Sequence, residues 1–193
     1  MIQRIRYLRL VFVKKTILII DNTAFAMGFN INLLQESMDN LTIYSTHEVY
    51  DEASKNSISS QNLEIANNQG ILSILEADET AINIVKIQAK ETGDYFVLSE
   101  PDISLIALAY QSKQENPSDE VFLMSDDYAI QNVCRILGIE IYSMFKTGIK
   151  KIIYWEIYCP SCFRIIEKEY DKKKCPNCHY KLKRRPKRQL PKI

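Results

Sequence analysis

Two Cys-x-x-Cys pairs near the C-terminus constrain this chain more than any other feature. Cys159-Pro-Ser-Cys162 and Cys175-Pro-Asn-Cys178 are separated by twelve residues. Each pair makes a tight turn that aims two sulfurs at one point, and two such knuckles build the tetrahedral four-sulfur site of a zinc ribbon. Pro160 and Pro176 stiffen the turns. Four sulfurs complete the site, so His179, beside Cys178, is expected on the surface. The spacer has room for a short hairpin, with FRIIEKEY before a lysine-rich turn. A unit of about thirty residues buries too little apolar surface to hold itself together and depends on its metal for folding.

The 193-residue chain has room for one ordinary domain ahead of that appendage. The net charge of +1 conceals a division. Residues 1–150 hold 12 basic and 20 acidic side chains, a balance of −8, whereas 151–193 hold 13 basic and 4 acidic, a balance of +9. A basic tail on an acidic body is the asymmetry of a protein with one part that grips a polyanion. Four thiolates and one doubly positive ion remove two units from the tail, which stays basic. No apolar run approaches the roughly 18–20 residues that span a bilayer. RLVFVKKTILII is split by Lys14 and Lys15, and no small-residue cleavage site follows it. The expectation is a cytoplasmic protein with no membrane partner.

The body alternates strand-like and helix-like stretches, which predicts an α/β fold with a mostly parallel sheet covered on both faces. TILII (16–20), LTIYS (41–45), ILSIL (71–75), VFLM (121–124) and IEIYS (139–143) read as strands. Helical patterns cover 23–38, 46–55, 61–69, 78–92, 100–115 and 127–137. With five glycines and no phosphate-cradling run, P-loop and dinucleotide folds are excluded. The chain divides into a basic N-terminal extension (1–15), the body (16–147), a linker arm (148–158), the ribbon (159–182) and a basic, unstructured tail (183–193). Cys134 fits a small buried apolar position in the 127–137 helix.

The acids that carry chemistry stand where strands end. Asp21 follows the first strand, Asp126 and Asp127 follow the fourth, and Asp102 opens the 100–115 helix. Parallel sheets bind ligands outside the carboxyl ends of their strands. Capping explains several of these acids one by one: Asp21 for the next helix, Ser99 with Asp102 as a capping box, Ser125 ahead of the Asp pair. Helical periodicity adds that Glu52 tilts toward the inward face of Val49 and Ala53, while Asp102 shares the stripe of Leu105, Ile106 and Ala109. A buried acid needs a cation, and the body has few lysines or arginines near these positions. Oxygen ligands from several elements suit Mg²⁺ or Mn²⁺, which can activate water for phosphodiester hydrolysis. The two histidines belong to no nucleophile triad, and His47 is expected on the surface at the start of its helix.

With these residues assembled, the body resembles a PIN-domain ribonuclease. The matching pieces are IIDNTAF with Asp21, VYDEA with Glu52, LSEPDISLIALAY with Asp102 and MSDDYAIQN with Asp127. Together with the ribbon, their order is more narrowly similar to the Nin-one-binding endonuclease family of archaea and eukaryotes, which trims the 3′ end of small-subunit ribosomal RNA precursors. DDYAIQNV, LGI and GIKKIIYWEIYCPSC are the most specific part, and the resemblance covers roughly residues 16–182.

The resemblance implies a three-layer α/β/α sandwich and a Mg²⁺- or Mn²⁺-dependent endoribonuclease, with Asp21, Glu52, Asp102 and Asp127 as its metal-binding acids. Asp127 is preferred over Asp126 because Ser125-Asp126-Asp127 meets the family's Thr-x-Asp pattern, with Ser in place of Thr; Asp126 stays an additional candidate. Asn22 departs from the family pattern after Asp21, and Thr23 supplies a nearby hydroxyl. The expected partners are precursor RNA and the pre-ribosomal small subunit. PIN domains often pair, so a homodimer is compatible with the resemblance.

On the basic side, Lys181, Lys183, Arg184, Arg185, Lys187 and Arg188 are expected to meet phosphates. Trp155 is expected either to stack on a base or to pack between body and ribbon. Two rival readings are a VapC-type toxin, which shares the acids but not the ribbon, and a zinc-ribbon RNA-binding module whose acids only cap helices. A ribbon adaptor in transcription would leave the acidic body without a use.

Overall fold

A computed structural model of the chain describes residues 14–26, 40–55, 57–144, 148–167, 170 and 172–187. In chain order the body contains β1 (Thr16–Ile20), α1 (Asn22–Ala26), β2 (Leu41–Ser45), α2 (His47–Ala53), α3 (Ser57–Asn68), β3 (Leu72–Ile74) and α4 (Glu79–Thr92). A 3-10 turn (Asp94–Phe96) leads to α5 (Glu100–Glu115), β4 (Glu120–Met124), α6 (Tyr128–Ile136) and β5 (Glu140–Tyr142). All five expected strands are present. The helix expected over 61–69 starts at Ser57, and the one expected over 23–38 is seen as α1, with residues 27–39 outside the described ones.

The five strands form one parallel sheet in the order β3-β2-β1-β4-β5. Alternation along β1 explains the layers. Ile17 and Ile19 face a core built with Val85, Leu105, Ile106, Leu123 and Ile130, where α4, α5 and α6 pack. Leu18 and Ile20 face the opposite core of Ile43, Ala53, Leu63, Leu72 and Met124, where α3 packs. Successive strand residues point to opposite faces, so an unbroken apolar run such as TILII suits a sheet buried on both sides. The connection from β1 goes to β2 on one side while β4 lies on the other. This topological switch opens a crevice at the carboxyl ends of β1 and β4.

Beyond the body, β6 (Trp155–Tyr158), β7 (Ile165–Ile166) and β8 (Lys183–Pro186) form an antiparallel sheet in the order β7-β6-β8. The linker arm therefore supplies the central strand of the ribbon, and the first residues of the basic tail supply an edge. Residues 183–186 were expected to be unstructured and are instead a strand, because Trp155–Tyr158 offers them a complete hydrogen-bonding partner. Residues 1–13 of the N-terminal extension and residues 188–193 of the tail, Arg188 included, lie outside the described residues.

The body meets this sheet at Gly93, which ends α4 at φ +79°. A Cβ there would come 2.7 Å from the Trp155 carbonyl oxygen, so glycine serves both the left-handed turn and the close approach.

Candidate active site and zinc ribbon

Asp21 is the buried centre of the carboxyl-end edge. It leaves β1 at the switch point, and its Oδ2 accepts hydrogen bonds from Thr23 Oγ1 (2.9 Å) and Ser125 Oγ (3.0 Å). Burial pushes its carboxyl up from 3.8 to about 6; the two hydroxyls oppose that rise and the nearby charge of Asp102 adds to it. Ser125 does not cap the following helix as expected. Its Oγ instead bridges two acids, donating to Asp21 and accepting from the Asp127 backbone N–H at 3.1 Å.

Asp127 is itself the N-cap of α6, its Oδ1 accepting from Ala129 N–H (2.6 Å) and Ile130 N–H (3.4 Å). Asp126 is buried and turned toward β5, where Oδ1 accepts from Ser143 Oγ and from Met144 N–H at 3.0 Å. Asp102 and Ser99 complete a capping box at the start of α5. Capping and closeness to Asp21 are thus both properties of Asp102.

Glu52 departs from the expectation. Val49 and Ala53 of α2 are buried, but Glu52 is exposed; it lies about 100° around the helix from Ala53 and so falls at the rim of the inward face. The link to the other acids comes from Asn22, whose Nδ2 reaches Glu52 Oε1 at 3.5 Å. The Oδ1 of Asn22 is buried without a hydrogen-bond partner among the described residues. Among the described residues, none of the ion pairs involves Asp21, Glu52, Asp102 or Asp127.

The four cysteines behave differently. Their sulfurs all lie within 4.8 Å of one another, with Cys159 to Cys178 at 3.4 Å and Cys162 to Cys175 at 3.6 Å. A tetrahedron of Zn–S bonds of about 2.3 Å has edges of about 3.8 Å, so the knuckles are set for that ion. Among the described residues this is the only group of three or more His, Cys, Asp or Glu side chains that converges so closely. The acids at the sheet edge are not gathered into a finished shell.

Sequence reasoning missed the buried junction between body and ribbon. Asp94 is fully buried; its Oδ1 pairs with Arg184 at 2.6 Å and its Oδ2 accepts from Asn132 Nδ2 at 2.5 Å. Asn132 also clamps the linker, bonding both the N–H (2.8 Å) and the carbonyl (2.6 Å) of Ile153. The Arg184 guanidinium lies over the Trp155 ring, 4.3 Å from its centroid.

Of the two readings of Trp155, this is the packing one. Arg184, expected among the phosphate contacts, is turned into the protein. Arg185 pairs with Glu156 at 2.6 Å and lies over Tyr158, whereas Lys181, Lys183 and Lys187 are exposed. The pairing of β8 with β6 makes the difference, since it sets Arg184 on the face opposite to Lys183 and Arg185. His47 and His179 are exposed and Cys134 is buried, as expected.

The parallel sheet with acids at its switch point defines the class as a PIN-type ribonuclease, and the family model for the PIN domain of ribonuclease matches residues 18–111. The chain is 35% identical over 172 residues to Endoribonuclease Nob1 of Pyrococcus abyssi, spanning 89% of this chain and 95% of that one. It is 32% identical over 176 residues to Endoribonuclease Nob1 of Methanothermobacter thermautotrophicus, spanning 91% and 94%. Ribonuclease VapC1 of Thermoplasma acidophilum is 29% identical over 114 residues, spanning 59% and 54%. The chain belongs to the Nob1 endoribonuclease family.

Proposed function

We propose that this endoribonuclease matures the 3′ end of small-subunit ribosomal RNA with Mg²⁺ or Mn²⁺ held by Asp21, Glu52, Asp102 and Asp127. The similarity to the Nob1 endoribonucleases supports the substrate, and the observation that carries the metal site is the surroundings of Asp21. A buried carboxyl is raised to about 6, and the unsatisfied Oδ1 of Asn22 lies in the neighbouring residue. Buried polar atoms left without partners are costly, and an oxygen-only donor set of this kind suits a hard dication. When bound, the ion supplies an activated water and offsets charge on the phosphodiester.

The chain's own residues do the positioning. Thr23 and Ser125 fix the Asp21 carboxylate, and Ser125 ties that carboxylate to the turn carrying Asp127. Asp126, committed to Ser143 and Met144, orders the β4–α6 turn rather than reaching the ion. Zinc completes the four-cysteine site and holds the ribbon together. Lys181, Lys183 and Lys187 attract RNA phosphates, joined by Arg188 of the tail, and the pre-ribosomal small subunit in the cytoplasm positions the cut. No helix among the described residues is long and apolar enough to cross a membrane.

The test is cleavage of a precursor fragment spanning the mature 3′ junction, with Mn²⁺ or with EDTA. Product is expected only with Mn²⁺, and Asp21→Asn and Asp127→Asn should abolish it. Equal products in the two tubes would remove the metal from the reading.

A further inference from the structure

Two non-glycine residues among those described have positive φ, and they occupy equivalent places. Phe163 follows the first knuckle and His179 the second, each at φ +59°. The knuckle requires this bend, because it returns the residue's N–H to the carbonyl of the knuckle's first cysteine. Phe163 N–H reaches the Cys159 oxygen at 2.9 Å and His179 N–H reaches the Cys175 oxygen at 3.0 Å. Glycine meets that requirement at least cost, and a bulky side chain there is unusual. Burial does not compensate: Phe163 is 75% exposed and His179 is exposed. A strained, outward-facing ring on a rigid turn points to a use outside the fold.

Position and charge identify that use. Each ring is one residue from a sulfur of the cluster that converges within 4.8 Å, so both stand at the same end of the ribbon. Tyr180 and Ile165 are also more than half exposed, next to the exposed cations Arg164 and Lys181. Residues 159–187 contain ten lysines and arginines against three acids; with Arg184 and Arg185 set aside as partners of Asp94 and Glu156, the other eight still leave a positive balance after the thiolates and zinc are counted. Exposed rings set among cations match unpaired nucleic acid, whose splayed bases offer faces for stacking while phosphates meet the charges. A duplex keeps its base faces stacked inside.

We infer that the knuckle end of the ribbon is a base-stacking site for single-stranded RNA, with Phe163 and His179 as its platforms. This rests on the RNA-cleaving reading above and deepens it: the ribbon would select an unpaired segment of the substrate.

The test uses the full zinc-loaded chain without added Mg²⁺ or Mn²⁺, and a fluorescent unstructured oligoribonucleotide beside the duplex of the same sequence. Phe163→Gly removes the ring while suiting the backbone, so the ribbon keeps its zinc. We expect it to weaken single-strand binding by about tenfold, with duplex binding and the salt dependence unchanged. His179→Gly should act in the same direction, and Phe163→Trp should restore binding.

Unaltered single-strand affinity in Phe163→Gly would overturn the inference and leave the ring for a protein partner. An equal loss on single strand and duplex would also overturn it, since that is the mark of a disturbed ribbon. If the unmodified chain binds neither RNA, the RNA reading itself fails; if it binds and Phe163→Gly changes nothing, only the stacking site fails.

Discussion

In the ribbon, four sulfurs from two knuckles already lie within 4.8 Å of one another. At the edge of the body's sheet the acids come from four separate elements and are linked through other groups. Ser125 stands between Asp21 and Asp127, and Asn22 between Asp21's turn and Glu52. The difference follows from what each part must do. The ribbon's core cluster holds only five buried residues, two of them cysteines, so its ligand set is its structure. The body buries two apolar cores whatever its acids do, and can therefore carry carboxylates in an arrangement unfavourable for folding, as the proposed ion site requires.

Removing zinc tests the first half of this contrast and should have the largest effect. Structural zinc contributes on the order of 10 kcal/mol to small folds. Cys175→Ser, or chelation of the wild-type chain, should abolish the ordered β6-β7-β8 signals in NMR spectra while the body's resonances stay dispersed. Collapse of both sets together would show that the body is not independent and would break the comparison.

The two halves were also unequally legible in the sequence. Knuckles can be read because ligand, turn and stiffening proline share four consecutive residues. Strand-end acids can be read because each parallel strand delivers its next residue to the same edge, so Asp21 and Asp127 arrive together by topology. The exposure of Glu52 was not legible, since periodicity gives a direction around a helix and not how far the neighbouring elements extend over the rim of its inward face. The junction was hidden for another reason. Asp94 follows a helix end with no periodic partner, and Arg184 sits in a run of positive charge that reads as solvated. Only the pairing of β8 with β6 shows that this run alternates, sending Arg184 inward to Asp94 and Trp155.

Asp21→Asn probes the other half. Losing an outer partner of a bound metal typically costs about 10–100-fold, so if Asp21 is the direct ligand proposed above its removal should reduce cleavage by at least about a hundredfold. Stability without divalent ion should move the opposite way. With a folded pKa of about 6 against 3.8, the native state holds a proton that the unfolded state has released between those values. The stabilising contribution is therefore complete below pH 3.8 and is lost as pH rises through 6, a change of about 3 kcal/mol. Denaturant melts of wild type and Asp21→Asn should differ little at pH 4, with the variant the more stable at pH 7. Added Mn²⁺ should raise only the wild type. A wild-type chain that gains stability relative to the variant between pH 4 and 7 in EDTA would contradict the account of Asp21 as a carboxyl raised by burial.

The smallest effect asks how firmly the two halves are joined. Burial raises the Asp94 carboxyl above its ordinary value, while hydrogen bonds from Asn132 and Thr92 and the charge of Arg184 hold it down. Arg184→Leu would leave that carboxylate buried without its cation, a loss that costs about 3–5 kcal/mol when both partners are deeply buried. Because the Arg184 side chain is 23% exposed, about 2 kcal/mol is the better expectation. Asp94→Asn together with Arg184→Leu should recover part of the loss, since no charge then remains unpaired. The double-mutant cycle should be read by denaturant melts, with proteolysis of the 148–154 linker as a second measure. Coupling near zero would mean that Asp94 and Arg184 act independently, and that body and ribbon are held mainly by the backbone approach at Gly93 and the Asn132 clamp on Ile153.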